Sequence, residues 1–154
     1  MDSIDRKILT ALQADATISI GELADKVGLS QTPCWKRVQR LEQQGVILRR
    51  VAIVAPEKIG LTLTVFVEVQ IPDHSVHWLD RFARAITAMP EVLEFYRMAG
   101  DVDYLLRVVV SDISDYDRFY KKLIDDFQLK SVTSRFAMER IKSTTAYRVP
   151  EEKI

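Results

Sequence analysis

Residues 19–43, Ser-Ile-Gly-Glu-Leu-Ala-Asp-Lys-Val-Gly-Leu-Ser-Gln-Thr-Pro-Cys-Trp-Lys-Arg-Val-Gln-Arg-Leu-Glu-Gln, hold two short runs of helical periodicity hinged at Gly28. Ser19 with Glu22 three residues on has the form of a capping box. Ile20, Leu23, Ala24 and Val27 then share one helical face. Ala24 is small enough to admit a neighbouring helix, and Gly28 supplies the positive φ of a sharp turn. Ser30 is placed to cap the second run, whose first turn tolerates Pro33 because that N–H has no helical partner. At about 100° per residue the second run separates two faces. Cys34, Val38 and Leu41 point to a core. Thr32, Lys36, Gln39 and Arg40 lie opposite, with Gln31 at the start and Trp35 and Arg37 on the flanks. Donors on such a stripe reach base edges in a major groove, and its cations pair with phosphates. The alternative is an ordinary helical hairpin with a solvated basic face. Agreement among turn, caps and charge polarity favours the DNA reading.

Upstream, a helix over about Ser3 to Ala14 places Ile4, Ile8, Ala11 and Leu12 on one face and closes a three-helix core. Downstream, the second run ends at Gly45, a glycine just past the helix end. Residues 46–54, Val-Ile-Leu-Arg-Arg-Val-Ala-Ile-Val, are β-branched and read as an extended wing plus linker. Arg49 and Arg50 there either touch phosphate or meet solvent. Pro56 and Gly60 bracket a short turn at the clearest domain boundary. The expected division is a helix-turn-helix domain over 1–50, a linker over 51–61 and a second domain over 62–154.

The period changes after residue 62. Leu63, Val65, Val67, Val69 and Ile71 alternate with Thr64, Phe66, Glu68 and Gln70, the signature of a half-buried strand that Pro72 stops. Ser75 starts a helix with Leu79, Phe82, Ala83 and Ile86 as its apolar stripe, and Pro90 ends it. Val92 to Met98 and Tyr104 to Val110 read as strands joined tightly through Gly100 to Asp103. Ser114 is placed to cap a helix that turns Tyr116, Phe119, Tyr120 and Leu123 inward. Val132 to Ile141 reads as the last strand. The fold class is therefore α+β, a winged helix-turn-helix followed by a βαββαβ ferredoxin-like sandwich. Two helices cover one sheet face only, and the other carries Phe66, so self-association is expected. Paired reading heads would also bind symmetric half-sites.

Composition bounds the function. Lys plus Arg number 22 and Asp plus Glu number 22 in 154 residues, giving no net charge. Any DNA-binding potential must then be local. Residues 31–50 carry Lys36, Arg37, Arg40, Arg49 and Arg50 against Glu42 alone, which puts the imbalance where the reading helix needs it. No apolar run is long enough to cross a bilayer and no signal peptide opens the chain, so no membrane partner is expected. Cys34 is the single cysteine, which fits a reducing cytoplasm. It reads as a small buried hydrophobe or, in the alternative, as a redox sensor at a helix start. His74 and His77, beside Asp73 and Asp80, form an incomplete metal pattern and read better as exposed polar residues. No phosphate-cradling glycine loop or nucleophile elbow is present, so no enzyme activity and no cofactor is expected.

The whole chain resembles the Lrp/AsnC (leucine-responsive regulator/asparagine-regulator) family of transcription factors. The resemblance rests on Glu22-Leu23-Ala24, Leu29-Ser30, Thr32-Pro33-Cys34, Arg37-Val38-Gln39-Arg40-Leu41-Glu42 and Gly45-Val46-Ile47 in the first domain. In the second it rests on Pro90-Glu91-Val92, Gly100-Asp101, Asp103-Tyr104-Leu105-Leu106 and Met138-Glu139. Cys34-Trp35-Lys36-Arg37 and Arg97-Met98-Ala99-Gly100 make it most similar to bacterial members that look cysteine-responsive. Residues 126–131 depart from the pattern in lacking Pro-Gly before the final strand.

What the resemblance implies is a regulator of double-stranded DNA whose second domain binds a small effector, an amino acid. It also implies homodimers that assemble further, to an octamer, with effector sites where dimers meet. Carried over by position, the effector loop is Gly100, Asp101, Asp103 and Tyr104. Backbone N–H groups around Gly100 suit a carboxylate, Asp101 or Asp103 an ammonium, and Met98 and Phe136 an apolar slot. The alternative for Asp103 and Tyr104, and less so for Asp101, is a plain turn, with Asp binding backbone N–H groups and Tyr packed in the core. A nucleoid-associated architectural protein with weak effector dependence is the second functional class, distinguishable by sequence-blind footprints.

Overall fold

A computed structural model of the chain describes residues 1–72 and 75–150. Two compact units emerge, Met1–Ile53 with the segment that begins at Ile141, and Val54–Arg140. No helix among the described residues is long and apolar enough to cross a membrane.

The first unit contains α1 (Ser3–Ala14), α2 (Ile20–Val27) and α3 (Gln31–Gln43). Asp2 caps α1 through a box in which its carboxylate accepts from Asp5 N (2.9 Å) and Asp2 N donates to Asp5 Oδ2 (3.0 Å). Ser19 and Glu22 make the same box for α2, as their spacing predicts. Gly28 ends α2 at φ 74°, with Leu29 N donating to Ala24 O at 2.9 Å, the Schellman closure that a Cβ would strain. Gly45 repeats it after α3 at φ 70°, with Val46 N on Leu41 O at 2.9 Å. Ile8, Leu23, Ala24, Val27, Cys34, Val38 and Leu41 are buried together. Each buried Val, Ile or Leu contributes about 1.5–3 kcal/mol.

Two expectations here need correction. Ser30 occupies the cap position of α3 but makes no side-chain cap bond. Residues 46–54 form no strand ladder, because an extended segment needs a neighbouring strand and this unit contains helices only. Leu48 is left 87% exposed and Ile53 75%.

The second unit opens with a 3₁₀ turn at Pro56–Ile59. Then come β1 (Leu63–Gln70), α4 (Val76–Thr87), β2 (Val92–Arg97), β3 (Tyr104–Val110), α5 (Ile113–Asp126) and β4 (Ser131–Phe136). The strands pair antiparallel in the order β2-β3-β1-β4, which is the ferredoxin-like arrangement. Val65, Val67 and Val69 face inward with Leu106 and Val108, and α4 and α5 cover them with Phe82, Ile86, Phe119 and Leu123. The Phe82 ring is central, stacked on Trp78 at 5.0 Å and edge-on to Phe127 at 5.0 Å. Asp112 rather than Ser114 caps α5, accepting from Asp115 N at 2.8 Å. Ser114 is already the second helical residue.

On the opposite sheet face, Phe66 is flanked by two cross-strand ion pairs. Arg135 Nε donates to Glu68 Oε1 at 2.8 Å, and Arg107 Nε donates to Glu94 Oε1 at 2.9 Å. β4 stops at Phe136 instead of reaching Ile141. Residues 141–150 group with the N-terminal unit. Gln13 explains why. Its amide donates to Tyr147 O (3.1 Å) and accepts from Tyr147 N (2.7 Å), holding the C-terminal segment on α1.

Candidate functional site

The burial of Cys34, Val38 and Leu41 fixes which side of α3 faces out. Gln31, Thr32, Trp35 and Lys36 are exposed on that side, and Trp35 is 50% open. Gln31 lies over Gly21, whose missing Cβ would come within 3.2 Å of the Gln31 amide nitrogen. Gln39 is half-buried and donates to Glu42 Oε2 at 3.0 Å. Lys36 and Arg49 are exposed and have no ion pair among the described residues. The Cys34 thiol is fully buried and its pKa is pushed up by that burial, which removes the thiolate a redox sensor needs.

The arginines behave differently from the sequence expectation. Arg37 Nη1 donates to Asp2 Oδ2 (2.6 Å) and to Asp5 Oδ1 (2.8 Å). Arg40 Nη2 donates to both oxygens of Asp5 at 2.8 and 2.7 Å. Arg50 pairs with Glu42 at 3.1 Å. Of the five cations in residues 31–50, three are thus neutralised within the chain, and the local basic patch shrinks to Lys36 and Arg49. The acidic partners escaped the sequence reading because they lie 32 to 35 residues away on α1. Their only local signal is the capping box. The Asp2 carboxyl is held at about 2, chiefly by the Asp5 N–H and then by Arg37.

The loop expected to take the effector joins β2 to β3. Gly100 sits at φ 118°, a conformation that excludes most side chains, and Asp101 beside it is exposed. Met98 is 40% exposed, and its N–H donates to Asp103 O at 2.8 Å. Asp103 is committed to the fold. Its Oδ2 accepts from Ile71 N at 2.8 Å while its own N–H donates to Val69 O at 3.0 Å. Tyr104 is buried against Phe82 and Phe95, each ring 5.1 Å away. These are the contacts that the plain-turn alternative expects of Asp103 and Tyr104.

Phe136 lies elsewhere. It pairs with Val65, whereas the loop abuts Val69 to Ile71, about four residues or 13 Å along the strand. Within one chain, Phe136 and Met98 cannot line a common slot. Asp73 and His74 lie outside the described residues. His77 is exposed, and no group of metal-binding side chains occurs among the described residues.

Known proteins match both halves. A family model described as the Lrp/AsnC ligand binding domain matches residues 64–147, and one described as winged helix-turn-helix DNA-binding matches residues 1–47. The chain is 53% identical over 147 residues to the DNA-binding transcriptional activator DecR of Escherichia coli K12, covering 95% of this chain and 97% of that one. It is 49% identical over 151 residues to the glutamate uptake regulatory protein of Zymomonas mobilis, covering 98% and 92%. An AsnC family transcriptional regulator from Agrobacterium tumefaciens superposes with a TM-score of 0.93 at 55% identity, over 97% of both chains. A Neisseria meningitidis transcriptional regulator solved with L-Met superposes at 0.91 and 31% identity, over 96% of both. These relatives are regulators of transcription, not enzymes. With reading head and ligand-binding sheet matched in one continuous chain, the protein belongs to the Lrp/AsnC family of DNA-binding transcriptional regulators.

Proposed function

We propose that α3 enters the major groove and that the loop around Gly100 receives an amino acid, so that DNA occupancy follows the amino acid supply. The observation that carries the first half is the outward side of α3. Thr32, Trp35 and Lys36 stand exposed on a helix whose inner side is wholly packed. Gln31, Gln39 and Arg49 complete the contact set, with Lys36 and Arg49 for charge and the others for base edges. Arg37 and Arg40 are left out as free contacts because Asp5 holds them.

For the second half, the exposed Asp101 carboxylate suits an ammonium, and backbone N–H groups beside a Cβ-free Gly100 suit a carboxylate. The L-Met bound to the Neisseria protein and the glutamate in the Zymomonas protein's name support a ligand of this class. An open loop needs further walls, and a second copy is the natural source. Exposed Phe66 and the unpaired apolar segment 46–54 support a homodimer as the building block of a larger ring. Such a regulator works where the chromosome is, in the cytoplasm.

A thermal-shift screen against the amino acids tests the loop, because a ligand of the folded state raises the melting temperature. One amino acid should raise it and also change the gel shift of a bound duplex. A screen in which none does either removes the effector reading.

A further inference from the structure

Among the described residues, Asp5 is the only charged side chain that is buried, at 1% exposure. Helix capping does not require this. The equivalent box on α2 uses Glu22, which is exposed. A carboxylate taken out of water is costly unless its lone pairs are filled. Here they are filled by Arg37 Nη1, Arg40 Nη2 and Asp2 N, at 2.7 to 3.0 Å. Two of those three donors are guanidinium groups of α3, so the burial serves the reading helix. Arg40 keeps 48% side-chain exposure, whereas Arg37, held by both Asp2 and Asp5, keeps 25%.

We propose that Asp5 is a positioning residue for sequence discrimination, fixing the rotation of α3 and withdrawing Arg37 and Arg40 from sequence-blind phosphate pairing. This rests on the reading of α3 as the groove-entering helix. Phosphate contacts carry no base information, and each adds to affinity for every duplex alike. Two free arginines beside Lys36 would raise background binding across a whole chromosome. Held on Asp5, they leave discrimination to Gln31, Thr32, Trp35 and Gln39.

The test compares the full-length protein with its Asp5→Asn variant on two duplexes. One is enriched from a random-sequence pool by the wild-type protein, and the other is its scrambled counterpart. Fluorescence anisotropy is read over a range of salt concentrations. Asn leaves Arg40 unneutralised, while Arg37 keeps its pair with Asp2. The variant should bind scrambled duplex more tightly, with a log–log salt slope steeper by about 0.9, for the one phosphate that Arg40 gains. The ratio of selected to scrambled affinity should fall about tenfold, within what one base contact supplies. A purely structural role would weaken both duplexes together and leave the slope alone. A folded variant with wild-type slope and ratio overturns the proposal.

If Asp5→Asn does not fold, Arg37→Gln and Arg40→Gln decide. Each should keep the wild-type slope, and a slope shallower by about 0.9 in either puts that guanidinium on a phosphate and overturns the idea. Failure of the parent reading looks different, because then the wild-type protein enriches no duplex and Lys36→Ala changes nothing.

Discussion

Lys36 ends in solvent while Arg40, one turn along the same helix, ends on the Asp5 carboxylate, so the two cations should answer mutation in opposite assays. Lys36→Ala removes no intramolecular partner. Its melting temperature should stay at the wild-type value, while affinity for a specific duplex falls by about 1–3 kcal/mol in a gel shift. Arg40→Ala strips hydrogen bonds from a buried carboxylate that still keeps Arg37. Discounted for the half-exposed guanidinium, that should cost about 2 kcal/mol in a denaturant melt. Equal stability of the two variants would contradict the ion-pair assignment. Asp2 adds a pH signature. Its carboxyl titrates at about 2 when folded, against 3.8 ordinarily. A lowered pKa stabilises the fold above the ordinary value, and that contribution fades as pH falls from about 4 towards 2. Asp15 and Glu22 are shifted the same way by Thr17 and Ser19. Melting temperatures of Asp2→Asn should therefore lie below wild type at pH 6 and converge with it near pH 2.

At the scale of elements, helix ends show what glycine is doing. Gly45 holds φ 70° with nothing within 4 Å of where a Cβ would stand. Gly45→Ala should then cost only the left-handed backbone penalty, about 1–2 kcal/mol, and Gly45→Asn less. A melt in which Ala costs nothing would refute the Schellman closure. Local periodicity made these elements readable in advance. The alternation of β1, the inward faces of α2 and α3 and the glycine stops all follow from contacts within a few residues. Ser30 and Ser114 misled because a serine in the right place need not make the cap bond, and Asp112 competed for α5. The segment 46–54 misled because β propensity names a preference that only a partner strand can realise. The loop proposed to take the effector was legible in part. Glycine at Gly100 was recoverable, whereas the bond from Ile71 N to Asp103 spans 32 residues and leaves no local trace. That bond divides the loop's two acids. Asp101→Ala should abolish the thermal shift with an amino acid while leaving duplex binding intact. Calorimetry showing normal amino acid binding in this variant would take the loop out of the site.

At the scale of the whole molecule, neutrality and DNA binding have to be reconciled. The chain carries as many acids as bases, and within residues 31–50 three of five cations are already paired. One reading head with two free cations makes few phosphate contacts and binds weakly. Joining two heads multiplies such affinities by about a hundredfold or more without any new contact, so the homodimer proposed above would do what net charge does not. The surface able to mediate it is the uncovered sheet face, where Phe66 lies between the Glu68–Arg135 and Glu94–Arg107 pairs. Replacing Phe66 by Asp puts a charge at the centre of that face but disturbs none of the core, because Val65 and Val67 point the other way. Light scattering should show the wild type as a multiple of the chain mass and Phe66→Asp as a smaller species with the same circular dichroism. Its affinity for a two-site duplex should fall by about that hundredfold, while affinity for a single half-site stays at the wild-type value. A wild-type protein that runs as a monomer, or a variant that binds both duplexes as well as wild type does, would mean that a single head with two free cations binds tightly by itself.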